Sequence, residues 1–216
     1  MKFTTLILDF DGTLGDSRRI IVDTLQETLR LHSLPPSTED ECAATIGLPL
    51  KEAFVRLANV DEQTALACVD TYRSIFDINN VTGAVKPFRN VVKTIERLHQ
   101  AGLTLTIASS RGRDSLPNLV SSIGIGPYIS FIVSADDVTH AKPHPEPVLI
   151  TLEHLGRKPE ETLVVGDMAF DIEMGRRANA ITCGVTYGNG TRKELEEAEA
   201  NWVIDDFALL EEIVER

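Results

Sequence analysis

Nowhere in the 216 residues does an apolar run reach the ~18 residues that a membrane-crossing helix needs. Cysteine is scarce as well. Cys42, Cys68 and Cys183 are widely spaced, odd in number and form no CxxC pair, which argues against a disulfide framework or a zinc site and leaves them as reduced, buried or half-buried side chains. Positive charge is the third deficit: 21 Lys and Arg against 33 Asp and Glu give a net charge of −12. Neither nucleic acid nor an anionic membrane surface is therefore expected as a partner. A phosphate ester would also be repelled at long range, so a phosphate site here must draw on local cations or a metal. The opening MKFTTLILDFDGTL has one Lys and an apolar run cut by two Asp, unlike a secretory signal, and a cytoplasmic protein is expected. There is no internal repeat, no low-complexity segment and no P-loop. Gly124-Ile125-Gly126-Pro127 and Gly188-Asn189-Gly190 read as turns rather than as a dinucleotide fingerprint.

What remains is the composition of an ordinary globular protein, 43% apolar and 25% charged, long enough to bury a sizeable core. Short aliphatic or β-branched runs recur at Thr4–Leu8, Leu103–Ala108, Phe131–Val133, Thr162–Val165, Ile181–Val185 and Trp202–Ile204. Between most of them lie segments with helical spacing. Val91, Val92, Ile95 and Leu98 form one stripe before Gly102, and Val148, Leu149, Leu152 and Leu155 another before Gly156. Strand and helix alternating in this way predict a doubly wound α/β domain with a parallel sheet.

The first interval breaks the pattern. From Ser17 to Val81 the spacing predicts helices only: Ser17–His32, a short helix capped by Thr38 and Glu41, Leu50–Ala58, and Asp61–Phe76 with Leu66, Val69, Tyr72 and Phe76 on one side. An all-helical module, residues 16–82, is thus expected inside a core made of 1–15 and 83–216, with Thr82-Gly83 and Lys86-Pro87 as the return linker.

In open parallel sheets a site forms beyond the carboxyl ends of the strands. There the sequence places Asp9-Phe10-Asp11-Gly12-Thr13, then Ser109-Ser110, then Lys142, then Gly166-Asp167 with Asp171 one helical turn on. Asp9, ionised at neutral pH, can attack phosphorus without a base and form an acyl phosphate that water hydrolyses. Asp11 can protonate the leaving oxygen and later activate that water. Gly12 permits a tight turn that brings main-chain N–H groups near phosphate oxygens. Ser109 and Lys142 suit the oxygens where charge develops. Several carboxylates facing a phosphate dianion require a hard cation, Mg²⁺ by preference, between Asp9 and Asp167. Each residue alone has a plainer reading: Asp as a cap, Ser as a turn former, Lys on the surface, Asp171 favouring a helix N-terminus. The conjunction is what points to phosphoryl transfer, since DxDGT arises by chance in roughly one chain of this length in several hundred. His140 and His144 flank Lys142, but Pro143 and Pro145 exclude a regular helix there, so a shared imidazole face and a zinc site are not expected.

These residues resemble the four motifs of the haloacid dehalogenase superfamily, in its phosphoglycolate phosphatase branch: DFDGTL, TIASS, AKPHPEP and GDMAFDIEMGRRANA, with a matching late stretch GVTYGNGTRKEL. The resemblance implies a Rossmann-like core with a helical cap and Asp9, Asp11, Ser109 and Lys142 as catalytic residues. It further implies a metal held by the Asp9 carboxylate, the Asp11 main-chain oxygen and Asp167, with Asp171 a ligand or water-mediated neighbour. Gly12, Thr13, Ser110, Arg111 and Gly47 are the candidates for binding phosphate or substrate. Gly47 lies in Ile46–Leu50, similar to a loop that closes over the family's site, and Arg111 is a candidate for a substrate carboxylate. Two departures stand out: Gly15, where many relatives carry an aliphatic residue, and Ser109-Ser110, where phosphoglycolate phosphatases resemble Thr-Asn. The expected activity is hydrolysis of a small phosphorylated metabolite by a monomer or homodimer. Inorganic pyrophosphatase, a β-phosphoglucomutase-like transfer and a receiver-type signalling module are the alternatives.

Overall fold

The computed structural model describes residues 3–80 and 83–215. In chain order the elements begin with β1 (Thr5–Leu8), β2 (Gly15–Asp16), α1 (Arg18–Leu31), α2 (Glu39–Ala43), α3 (Leu50–Ala58) and α4 (Glu62–Asn79). They continue with β3 (Lys86–Pro87), α5 (Val91–Gln100), β4 (Thr104–Ala108), α6 (Leu116–Ser122), β5 (Ile129–Val133) and α7 (Glu146–Leu155). The chain ends with β6 (Thr162–Gly166), α8 (Ala169–Arg177), β7 (Ile181–Val185), α9 (Arg192–Glu197), β8 (Trp202–Ile204) and α10 (Leu210–Glu215).

Six strands form one parallel sheet in the order β5-β4-β1-β6-β7-β8. Every residue of β1 is buried, as expected for a strand covered on both faces. Its side chains divide between the faces: Leu6 and Leu8 join a large cluster with Ile95, Leu98 and Phe207, whereas Ile7 joins Val148, Leu152 and Met174. Each such full burial is worth roughly 1.5–3 kcal/mol. The chain leaves β1 for β4 on one side and reaches β6 on the other, so the order reverses at β1 and opens a crevice beyond its carboxyl end. The six strands expected from sequence are those observed, although β5 begins two residues earlier, at Ile129. Trp202 packs edge-on against Phe3, 6.0 Å between centroids.

The helices α1 to α4 occupy the interval between β2 and β3. The capping box is formed: Glu41 N–H donates to Thr38 Oγ1 at 3.2 Å and Thr38 N–H to Glu41 Oε2 at 2.7 Å. Lys86-Pro87, expected as plain linker, instead pairs antiparallel with Gly15-Asp16, so the outgoing and returning chains are tied together. Val81 and Thr82, the expected end of the module and start of the linker, lie outside the described residues. In α4 the expected stripe is corrected at one position. Val69, Tyr72 and Phe76 are buried with Ala65 and Cys68, but Leu66 is 50% exposed because its turn faces an open cavity.

All three cysteines are free and buried; burial pushes the Cys42 thiol up to about 11 and the Cys183 thiol to about 12, which makes them inert packing groups. Among the described residues no helix is long and apolar enough to cross a membrane.

Gly15 has a steric cause. A Cβ there would sit 3.0 Å from two ring carbons of fully buried Phe10 and 3.0 Å from Val85. An aliphatic side chain there does not fit without moving both. Gly15→Leu is expected to destabilise the protein by about 1–3 kcal/mol in denaturant unfolding. An unchanged midpoint would show that Phe10 and Val85 step aside freely.

Candidate active site

The carboxyl ends of β1, β4 and β6 deliver three of the expected groups directly. The ladder continues one residue past two of the strands: Asp9 N–H donates to Val165 O at 2.9 Å and Ser109 N–H to Val133 O at 3.0 Å, which fixes both backbones. Phe10, fully buried, anchors a tight turn in which Leu14 and Gly15 N–H both donate to Phe10 O at 2.9 Å. Asp9 and Asp11 therefore emerge on either side of a packed aromatic ring.

Lys142 arrives from the loop after β5 and is only 4% exposed. Its ammonium donates to Asp9 Oδ1 at 2.6 Å and to Asp171 Oδ1 at 2.7 Å. Asp171 also accepts from Met168 N–H, 3.1 Å, at the first turn of α8. Asp167 is completely buried and held by Asn189 N–H (2.7 Å), Asn189 Nδ2 (3.0 Å) and Thr13 Oγ1 (3.2 Å). One oxygen each from Asp9, Asp167 and Asp171 lies within 4.8 Å of the others. Asp9, Ser109, Lys142, Asp167 and Asp171 thus meet at one sheet edge.

The electrostatics follow from that crowding. Burial drives the Asp9 carboxyl well above its ordinary range; Lys142 opposes this, while Asp171 and Asp167 reinforce it. Asp167 is pushed up to about 7 by burial and then by Asp171, against the hydrogen bonds from Asn189 and Thr13. Burial alone would lower Lys142, but Asp171 and Asp9 outweigh it and hold the ammonium above its usual value. Three buried carboxylates with one ammonium leave a deficit of positive charge. Their hard oxygen donors fit a divalent cation of the Mg²⁺ type. Asn189 Oδ1, on the amide that holds Asp167, is in addition buried without a hydrogen-bond partner.

Several residues expected to touch phosphate do something else. Thr13 is completely buried and supports Asp167. The Gly12 N–H is taken by Gly15 O at 3.0 Å, so it is not a free phosphate donor. Glycine is required there for another reason: φ is +91° and a Cβ would lie 2.1 Å from Asp167 Oδ2. Arg111, the candidate for a substrate carboxylate, is instead engaged by Asp11 through two bonds, Nε to Oδ2 at 2.9 Å and a terminal nitrogen to Oδ1 at 2.7 Å. Its guanidinium lies 4.4 Å over the Phe76 ring. Ser17 Oγ donates to the same Asp11 at 2.5 Å. Ser110 Oγ donates to Gly47 O at 2.6 Å, pinning the Ile46–Leu50 segment against the sheet edge. A cavity of about 300 Å³ opens from Asp9, Asp11 and Ser109 and is roofed by that segment, α1 and α4.

Sequence reasoning missed Asn189 and its glycines. A Cβ at Gly188 would lie 2.3 Å from Gly12 O, and one at Gly190 2.2 Å from Asp167 O, so the turn is an inner wall of the site. Only the late resemblance at GVTYGNGT marked it. The imidazoles are a second correction. A turn closed by His144 N–H to Ala141 O, 2.9 Å, brings the His140 and His144 rings to 4.5 Å, despite the prolines. Glu146 binds this loop by accepting from Thr139 and His140 N–H at 2.8 Å each and from the His140 ring at 2.8 Å.

Comparison with known proteins places this geometry. Residues 6–185 match the family described as Haloacid dehalogenase-like hydrolase. The protein named Pyrophosphatase PpaX from Oceanobacillus iheyensis is 34% identical over 206 residues, covering 95% of this chain and 94% of that one. Probable phosphatase IndB of Dickeya dadantii is 34% identical over 208 residues, covering 94% and 90%. The crystal structure of a Bacteroides fragilis protein, itself described as haloacid dehalogenase-like, matches with a TM-score of 0.92 at 29% identity, over 97% of this chain and 100% of the other.

A pH dependence follows from Asp167. Its folded value near 7 lies above the ordinary 3.8, so the native state binds the extra proton between them. The stability this group contributes therefore falls as pH rises through that window, and a cation replacing the proton removes the penalty. Saturating divalent cation is expected to raise the melting temperature by several degrees at pH 8 and by much less at pH 5. Equal shifts at both pH values would contradict the assignment.

Proposed function

Because the chain belongs to the haloacid dehalogenase-like hydrolases, we propose that it is a Mg²⁺-dependent phosphatase that hydrolyses a phosphate monoester through phosphorylated Asp9. The observation that carries this reading is the position of Asp9: at the end of the central strand, 2.6 Å from the Lys142 ammonium, with Asp167 and Asp171 oxygens within 4.8 Å.

Asp9 Oδ1 is bound by Lys142, which leaves Oδ2 as the attacking atom. The P–O bond to the alcohol breaks as the Asp9 oxygen bonds to phosphorus, and Asp11 supplies the proton that the departing oxygen takes up. For that Asp11 must exchange part of its contact with Arg111 and Ser17 for the leaving oxygen. Ser109 and Lys142 steady the equatorial oxygens. Asp11 then removes a proton from the water that attacks the acyl phosphate, which releases phosphate and restores Asp9. The Asp9 carboxylate, the Asp11 main-chain oxygen and Asp167, with Asp171 as ligand or water-mediated neighbour, would hold Mg²⁺, which offsets the charge of the phosphate.

Residues 16–82 are read as a cap domain over a core of 1–15 and 83–216, and a small phosphorylated metabolite in the cytoplasm as the substrate. Pyrophosphate is the second reading, favoured by the name of the 34%-identical Oceanobacillus relative. Family membership weighs against the receiver-type module, and a mutase would return phosphate to sugar rather than release it.

Asp9→Asn is expected to lower phosphate release by about 10³-fold or more while unfolding stays cooperative. Chelation should likewise silence the wild-type enzyme until Mg²⁺ is returned. Substantial turnover by the Asn variant, or by metal-free enzyme, counts against the mechanism.

A further inference from the structure

The cavity above Asp9 is lined mostly by apolar side chains, with Lys51, Arg73, Asp77 and Asp114 among the polar ones. Its apolar walls include Ile21 and Leu25 of α1, Leu48, and Leu66, Val69 and Tyr72 of α4. Leu66 is the most informative of these. It is 50% exposed and faces the cavity, so a large apolar side chain is left uncovered on the surface that would meet a ligand.

Two of the cations that line the cavity are held by acids. Arg111 is paired bidentately with Asp11 and stacked on Phe76. Lys51 reaches Glu62 at 2.8 Å. Arg73 also lines it, as do Asp77 and Asp114. A charged group on the leaving alcohol would lie against a mostly apolar lining, which a hydrocarbon group covers without that desolvation cost. About 300 Å³ is room for roughly ten water-sized groups, enough for the phosphoryl group and a short hydrocarbon part.

We infer that the substrates are phosphate monoesters of apolar alcohols, alkyl or aryl, whose hydrocarbon part is buried between α1, α4 and the Leu48 segment. This inference rests on the phosphatase reading and narrows it to leaving groups with a hydrocarbon part.

The test uses the full chain with Mg²⁺ and straight-chain alkyl phosphates from ethyl to hexyl, with phosphoglycolate, pyrophosphate and a generic aryl phosphate alongside. The alcohols in this series ionise alike, so any trend reports burial rather than leaving-group chemistry. kcat/KM is expected to rise about fourfold per methylene until the cavity is filled. Leu66→Ser, at a half-exposed position that tolerates a polar residue, should flatten the slope. Non-hydrolysable alkyl phosphonates should show the same trend as competitive inhibitors or in calorimetry. A flat series with measurable turnover, or phosphoglycolate or pyrophosphate outpacing hexyl phosphate, overturns this inference and leaves the phosphatase reading standing. No phosphate released from any compound overturns the phosphatase reading, and this inference with it.

Discussion

One ammonium buried among acids organises this molecule. Lys142 bridges Asp9 and Asp171 at 2.6 and 2.7 Å where neither side chain meets much solvent. Buried ion pairs of this kind add little net stability, yet removing one partner strands a charge at a cost of about 3–5 kcal/mol. The arrangement is thus locked without being strongly stabilising. Asp167, facing the same cluster without an ammonium of its own, is held by neutral donors from Asn189 and Thr13. The backbone yields to let these groups approach. Gly12, Gly166, Gly188 and Gly190 each leave the space where a Cβ would collide with Asp167 or Asp171 at 2.4 Å or less. Stability is spent at this edge and recovered in the two hydrophobic layers that cover the sheet.

A second set of contacts joins the helical layer to the acids. Ser17, immediately before α1, donates to Asp11, and Ser110 donates to Gly47. Phe76 of α4 lies against the guanidinium that holds Asp11. Ser17 and Phe76 thus tie the surroundings of Asp11 to α1 and α4, whereas Asp9 and Lys142 are bound to one another. Asp9 belongs to the sheet, whereas Asp11 is also held from the helical side.

Much of this was legible in the sequence, for reasons that differ by element. The strands were readable because a parallel sheet buried on both faces demands continuous aliphatic runs such as Thr5–Leu8 and Thr162–Gly166. The site was readable because topology brings strand ends together however far apart they lie along the chain. What sequence could not convey was which of two neighbours takes a given hydrogen bond. Thr13 and the Gly12 N–H were read as facing phosphate, but their partners, Asp167 and Gly15, become available only when the turn at Phe10 closes. Arg111 was read as a ligand for substrate because its bidentate partner Asp11 is 100 residues away. Gly188-Asn189-Gly190 looked like any turn, since the three-dimensional crowding that demands its glycines has no local signature. His140 and His144 were judged by helical spacing, and the loop that joins them does not use it.

The distribution of chemistry across the fold also separates what varies from what does not. Asp9, Ser109 and Asp167 are fixed by strand ends and Lys142 by its bonds to Asp9 and Asp171, so a change at Lys142 or at either of those acids disturbs the others. The walls that would meet a leaving group come from α1, α4 and the Leu48 segment, which share no ion pair or hydrogen bond with Asp9 or Asp167. Side chains such as Leu66 can therefore change identity with little electrostatic consequence for the acids. At 34% identity along nearly the whole chain there is room for the lining to differ between relatives. On this architecture a relative's substrate is weaker evidence than the lining of the chain's own cavity, because the lining is the part that is free to change.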